Sequence, residues 1–246
     1  MNIEKFTIKD KEATLYHAKE AGMPLIVFNE FDGDGKQVIE AAGKLIAQTE
    51  GNSDIAFADE AVWMGKECRK DFNFLCVSKI DWNHDMSPWH FPALFAGEPD
   101  FTGGADEYLK LLVEEILPEA LKRISGTPAY IGIAGYSLAG LFAIYALYQT
   151  DVFSRAASMS GSLWFPEFKE YVFSHEMKRK PEKLYFSLGD KEAKTRNRYM
   201  KTVQENTESI VEYYRAAGID VTWEMNPGNH FKDAELRSAR GVLGIV

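Results

Sequence analysis

The stretch AYIGIAGYSLAGLFAIYALY, residues 129–148, passes from an apolar strand pattern through a serine set among small residues into an apolar helix pattern. Ser137 stands at the junction, in Gly135-Tyr136-Ser137-Leu138-Ala139, with Gly140 next. A serine at the tip of a tight strand-to-helix turn takes a strained backbone, so the residues two before and two after it must be small. Its Oγ then stands above the sheet at the start of a helix, whose partial positive charge favours a developing oxyanion. Ser137 is therefore a candidate nucleophile, and the apolar strand and helix around it separate this reading from that of a buried Gly-Ser turn.

Outward from this stretch, the same rhythm repeats. Residues 23–28 (MPLIVF) form a continuous apolar run, the mark of a strand covered on both faces. A turn-rich loop, Asn29 to Gly35, follows, and residues 37–48 then carry Val38, Ile39, Ala42, Leu45 and Ile46 at helical spacing. Further strands are expected over 54–59, 72–80, 152–159, 183–188 and 220–225, with helices over 106–124, 200–217 and 234–243, the last capped by Asp233. Two antiparallel edge strands fit residues 2–20. Pro118 is expected to bend the helix in which it lies. Strands alternating with helices along the whole length indicate an α/β fold, an open and mostly parallel central sheet with helices on both faces, and a single domain over 1–246.

Composition narrows the chemistry. The chain has 246 residues, 46% of them hydrophobic, enough for one large core, and a net charge of -9. That charge provides no basic footprint for nucleic acid or an anionic membrane. The two cysteines, Cys68 and Cys76, and the lack of a basic-then-apolar leader fit a reducing cytoplasm and argue against a disulfide framework. The apolar helix after Ser137 is too short to span a bilayer, and no other stretch reaches the roughly 20 residues that spanning needs. No His, Cys and carboxylate spacing of a known metal site is present, and the expected chemistry needs no cofactor. Oligomeric state leaves no mark in the sequence.

In a parallel sheet, ligands sit outside the C-terminal ends of the strands, so loops that follow strands are the candidates. A neutral serine hydroxyl needs a base, and the base needs a group to hold its tautomer. Of the five histidines, His17 and His175 fit surface roles, and His230, just past the last strand behind Pro227-Gly228, is the candidate base. The orienting acid should follow the strand between, where Gly189-Asp190-Lys191-Glu192 offers two. Glu192 is preferred because the loop has room to turn back by then, and Asp190 is the alternative. Oxyanion donors are expected from the main-chain N–H of Leu138 and of Phe31, in the loop after residues 23–28, with Glu30 or Asp32 as alternatives to Phe31. The long loop over 81–101 holds Trp82, His84, Trp89, His90, Phe91 and Phe95. Loops of that length are commonly functional, so Trp82, His84 and Trp89, together with Tyr136 and Trp164, are candidate substrate contacts.

With these residues assembled, the chain resembles the putative esterase family of α/β-hydrolases, which includes esterase D, feruloyl and acetyl xylan esterases and enterochelin esterases. The motifs that carry the resemblance are Gly135-Tyr136-Ser137-Leu138-Ala139-Gly140, Ser160-Gly161-Ser162-Leu163-Trp164, Gly189-Asp190-Lys191-Glu192 and Pro227-Gly228-Asn229-His230-Phe231. Family members place the acid three positions after the loop glycine, which favours Glu192. The resemblance implies an α/β-hydrolase fold and a serine carboxylesterase acting on a small or aromatic ester. An acyltransferase or thioesterase using the same serine, or a binding module on a hydrolase scaffold, are its alternatives. Asn29-Glu30 stands where many relatives have His-Gly, so a differently shaped oxyanion loop is expected.

Overall fold

The computed structural model describes residues 2–51 and 71–246; the strand expected over 54–59 and Cys68 lie outside the described residues. Ten strands are described: β1 (Ile3–Ile8), β2 (Lys11–Tyr16), β3 (Leu25–Asn29), β4 (Asn73–Ser78), β5 (His90–Phe91), β6 (Phe101–Thr102), β7 (Ile131–Tyr136), β8 (Arg155–Met159), β9 (Lys183–Gly189) and β10 (Asp220–Asn226). Eight of them form one sheet in the order β1-β2-β4-β3-β7-β8-β9-β10, while β5 and β6 pair separately. From β4 to β10 every neighbour pair is parallel; β1 and β2 add an antiparallel edge.

The apolar runs lie where two-sided burial needs them. Every residue of β3 and β4 is buried, whereas the edge strand β1 alternates between exposed and half-buried. After β7 comes α5 (Leu138–Gln149), in which all residues but Gln149 are buried. A helix that is apolar on every side belongs inside the molecule, and α5 lies at the centre of the larger core. That core also takes in α3 (Ala105–Leu111), α6 (Phe168–Ser174) and α7 (Val203–Ala216). On the opposite face α1 (Lys36–Gly51) packs against α8 (Ala234–Ile245) over the smaller core. The fold is therefore a mostly parallel sheet covered on both faces, of the α/β-hydrolase type.

Three local readings needed correction. The helix expected over 106–124 is interrupted by a π-turn, Leu112–Ile116, before α4 (Leu117–Leu121) resumes. Pro118 has no N–H to continue an α-helical ladder, and the wider turn just ahead of it absorbs the mismatch. Asp233 precedes α8 in the left-handed region (φ 55°) and makes no side-chain cap; its carbonyl instead accepts the Arg237 N–H. The loop over 81–101 is partly ordered into α2 (Trp82–Asp85) and the β5–β6 hairpin. Among the described residues no helix is long and apolar enough to cross a membrane.

Candidate active site

The loops that leave β7, β8, β9 and β10 converge at one edge of the sheet. Ser137, between β7 and α5, has φ 60° and ψ −122°, a backbone state costing a non-glycine residue about 1–3 kcal/mol. Its surroundings hold it there. The Ser137 N–H donates to Met159 O (3.1 Å), and its carbonyl accepts from Gly140, Leu141 and Ser162 N–H groups at 2.9–3.1 Å. A Cβ on Gly135 would come within 2.3 Å of the Ala139 carbonyl, and one on Gly140 within 2.9 Å of the Gly135 carbonyl. Gly161 is under the same constraint, because its Cβ would meet the Ser158 hydroxyl at 2.0 Å. The small-residue requirement thus reaches beyond the two positions flanking Ser137, into Gly140 and the Ser160–Ser162 loop.

Around the serine the polar groups form a line. Ser137 Oγ lies 3.1 Å from His230 Nε2, and His230 Nδ1 lies 2.8 Å from Glu192 Oε2. A carboxylate can only accept, so Nδ1 carries the ring proton and Nε2 is left with a lone pair facing the serine O–H. The other oxygen, Glu192 Oε1, accepts three hydrogen bonds: from Gly189 N–H (2.6 Å), Ser160 Oγ (2.7 Å) and Arg237 Nη1 (3.0 Å). One oxygen is anchored by three donors and the other is directed at the imidazole. Burial alone would raise the Glu192 carboxyl, but bonds from His230, Ser160 and the Gly189 N–H hold it below the ordinary carboxylate value.

Asp190, two residues earlier, has another partner. Its Oδ1 accepts the Gly228 N–H at 2.6 Å, and that bond keeps its carboxyl below the ordinary value. With Asp190 N–H on Asn226 O and Lys191 N–H on Gly228 O, it ties the β9 loop to the turn that carries His230. Of the two acids only Glu192 is brought to His230.

Arg237 is the residue that sequence reasoning missed. It is only 2% exposed, and besides Glu192 it reaches Ser160 Oγ (3.2 Å), Tyr136 Oη (3.4 Å) and Pro227 O (3.2 Å). A signal was present: Arg237 is the fourth residue of α8, where a cation opposes the helix dipole unless an anion faces it.

The candidate substrate contacts part company. Trp164 lines a cavity next to Ser137, together with Ser162, Met200 and Val203. Tyr136 instead supports the base, donating its hydroxyl to His230 O at 2.6 Å. His84 bonds Thr102 Oγ1 (2.7 Å) and packs on Gly104, where a Cβ would lie 2.2 Å from the ring. Trp89 donates to Pro166 O and packs on Phe165 and Tyr171. The indole and imidazole thus hold the long loop down, and both side chains stay half-buried. Trp82 meets Phe31 edge-on at 5.8 Å, and Phe31 is largely exposed. Leu138 is the first residue of α5, so its N–H has no acceptor within the helix. The Asn29-Glu30 departure also has a structural use: Asn29 accepts the Tyr108 hydroxyl in the core, and Glu30 folds beneath its own loop to accept Gly35 N–H at 2.9 Å.

A profile of the putative esterase family matches residues 70–233, about two thirds of the chain. The chain belongs to this family. An IroE-like serine hydrolase from Shewanella oneidensis superposes with a TM-score of 0.72 at 17% identity, covering 98% of this chain and 78% of that one. The siderophore hydrolase EstB of Aspergillus nidulans gives 0.70 at 16% identity, covering 99% and 94%. Identities this low speak to the esterase fold alone. By sequence, the Bacillus subtilis protein YbbA is 23% identical over 137 residues, 54% of this chain; the match spans about half of that curated relative, 55%.

Proposed function

We propose that this protein is a serine carboxylesterase acting on a small-molecule ester, with Ser137 as nucleophile, His230 as general base and Glu192 as the acid that orients it. The observation that carries the reading is the hydrogen-bonded line from Ser137 Oγ through the imidazole to Glu192, at 3.1 and 2.8 Å. Membership of an esterase family supports it, as do structural relatives named as serine and siderophore hydrolases.

In this mechanism Ser137 Oγ attacks the ester carbonyl as its proton passes to His230 Nε2, and the main-chain N–H groups of Leu138 and Phe31 receive the oxyanion. The imidazolium, held by Glu192, returns the proton to the departing alcohol. Water, deprotonated by the same histidine, then clears the acyl group and restores Ser137. Arg237 and Glu192 form a buried ion pair at 3.0 Å that balances the carboxylate while His230 is neutral. Replacing Ser137 with alanine should lower kcat for p-nitrophenyl acetate by on the order of 10⁶, as for a comparable serine nucleophile. A loss of only a few fold would reject the assignment.

A further inference from the structure

We infer that Glu30 is a positioning residue for this reaction: its carboxyl shapes the loop after β3 and so holds the Phe31 N–H where the oxyanion forms. The inference rests on the esterase reading of Ser137. Strand register brings the two residues together. Asn29, the last residue of β3, lies opposite Gly135 of β7, so Phe31 and Ser137 each stand two residues past a paired position on neighbouring strands. Such strands run about 4.8 Å apart. Within the loop, Glu30 N–H donates to Val77 O at 2.9 Å, Gly35 N–H to Glu30 Oε2 at 2.9 Å, and Lys36 N–H to Asp34 Oδ1 at 3.2 Å. The Phe31 N–H meets no acceptor among the described residues. An unpaired main-chain donor one strand from the nucleophile is what an oxyanion hole presents. Glu30 N–H, the neighbouring alternative, is taken up by the sheet.

The shape of the loop depends on the Glu30 side chain. It turns back under its own loop, where Oε2 takes the Gly35 N–H and stands 3.4 Å from Sγ of Cys76, a buried residue of β4. The chain closes over it at two glycines with positive φ, Gly33 (143°) and Gly35 (76°). A Cβ on Gly33 would come within 2.8 Å of Glu30 Oε2, and one on Gly35 within 2.6 Å of the Phe74 ring. The loop is therefore wrapped on the carboxyl and pressed to β4 with no space for a side chain between. Its other ties are on the outside: Asp32 with Lys79 and Asp34 with Lys5, each at 3.0 Å and solvent-exposed. Exposed pairs contribute little, so Glu30 is the tie that fixes the loop.

The carboxyl serves there as an acceptor, and its charge is not what the loop uses. Burial raises it above the ordinary carboxylate value, against the bonds from Gly35 N–H and Cys76 that lower it. The charged form is thus the disfavoured one, and a negative charge behind the donor would oppose an oxyanion in front of it. An uncharged oxygen at the same reach can keep the Gly35 bond. In this role Glu30 acts through the Phe31 N–H and needs no contact with the substrate.

The test measures kcat and KM for p-nitrophenyl acetate, and inhibition by trifluoroacetone, in the intact chain and three variants. Ser137 Oγ adds to the carbonyl carbon of this ketone as its proton passes to His230, and the oxygen left behind occupies the oxyanion position, so the affinity reads the donors there. Glu30→Ala should lower kcat by about ten- to a hundredfold, less than the roughly 10²–10³ lost when a donor is removed outright, with KM within about threefold. Trifluoroacetone should weaken by the same factor as kcat. Glu30→Asp keeps the charge but draws the oxygen back by one methylene; it should match the alanine variant, and it gives the reading should that one fold poorly. Glu30→Gln keeps an acceptor at full reach and should recover kcat to within about threefold of the unaltered chain. Unchanged kcat in the alanine and aspartate variants, a rate loss with no matching loss of ketone affinity, or a glutamine variant as slow as alanine overturns the inference. Each of these leaves the esterase reading standing, because the unaltered chain still turns over the ester. No turnover by the unaltered chain overturns both.

Discussion

Two loops leave the same edge of the sheet and do opposite kinds of work. The one after β9 runs ten residues, Asp190 to Tyr199, and its hydrogen bonds to the site are concentrated in the first turn, Asp190 to Glu192. Asp190 is fixed to the Gly228 N–H, and Glu192 to His230, Ser160, Arg237 and the Gly189 N–H. The one over 81–101, after β4, is about twice as long, and its aromatic side chains go into holding it in place: Trp89 on Pro166 and Phe165, Phe91 on Tyr199. A short loop inherits its precision from the strand ends it joins. A long one must first build a small core of its own before it can present anything, so its most conspicuous side chains are its least available ones.

Substitutions on each side sharpen this contrast. Glu192→Gln should have the largest effect, a fall in kcat of about 10⁴, as when a triad acid elsewhere becomes an amide and the imidazole takes the wrong tautomer. A fall of less than about tenfold would make the short loop a structural tie only. Arg237→Met comes next, with a rate loss of about 10 to 100-fold and a stability loss of about 3–5 kcal/mol, because Glu192 would keep its buried charge without its cation. Its signature is in acid. A carboxylate depressed in the folded state contributes stability that is complete above its unfolded value, about 4.3, and is lost as pH falls through the folded one. Removing Arg237 should bring the folded value up toward the unfolded one, so the carboxylate's share of the fall in Tm below about pH 4.3 should shrink; a fall as deep as in the unaltered chain would contradict the pairing.

Asp190→Ala belongs to the same short loop but should cost the rate no more than about tenfold, since it loosens the Gly228 turn without touching the imidazole. A loss as large as that of Glu192→Gln would exchange the roles of the two acids. The smallest effect is expected in the long loop. His84→Ala should leave kcat/KM within about twofold, with any change appearing as lowered Tm through the lost bond to Thr102. A large rise in KM at unchanged Tm would return His84 to the substrate.

The same contrast explains what the sequence allowed one to read. The sheet was legible because five parallel strands buried on both faces require continuous apolar runs, and residues 131–136 and 183–188 have them. The approach of Ser137, Glu192 and His230 to one another was legible because chain order and strand ends bring them together, whatever lies between. Glu192 and Asp190 could not be separated by chemistry alone; what separates them is which way a tight turn directs each carboxylate. Arg237 was hidden because its meaning depends on Glu192, 45 residues earlier and on another element. The packing of the long-loop aromatics was hidden because composition reports that they are apolar and large, without reporting which side of the loop becomes its core.

The central claim, that Ser137 is made nucleophilic by His230 and Glu192, is tested most directly by a fluorophosphonate probe on the intact chain, with the labelled residue located by peptide mass spectrometry. The account predicts one covalent adduct, on Ser137, absent from Ser137→Ala and strongly slowed in His230→Ala. An adduct on another residue, or one that persists in Ser137→Ala, would contradict it.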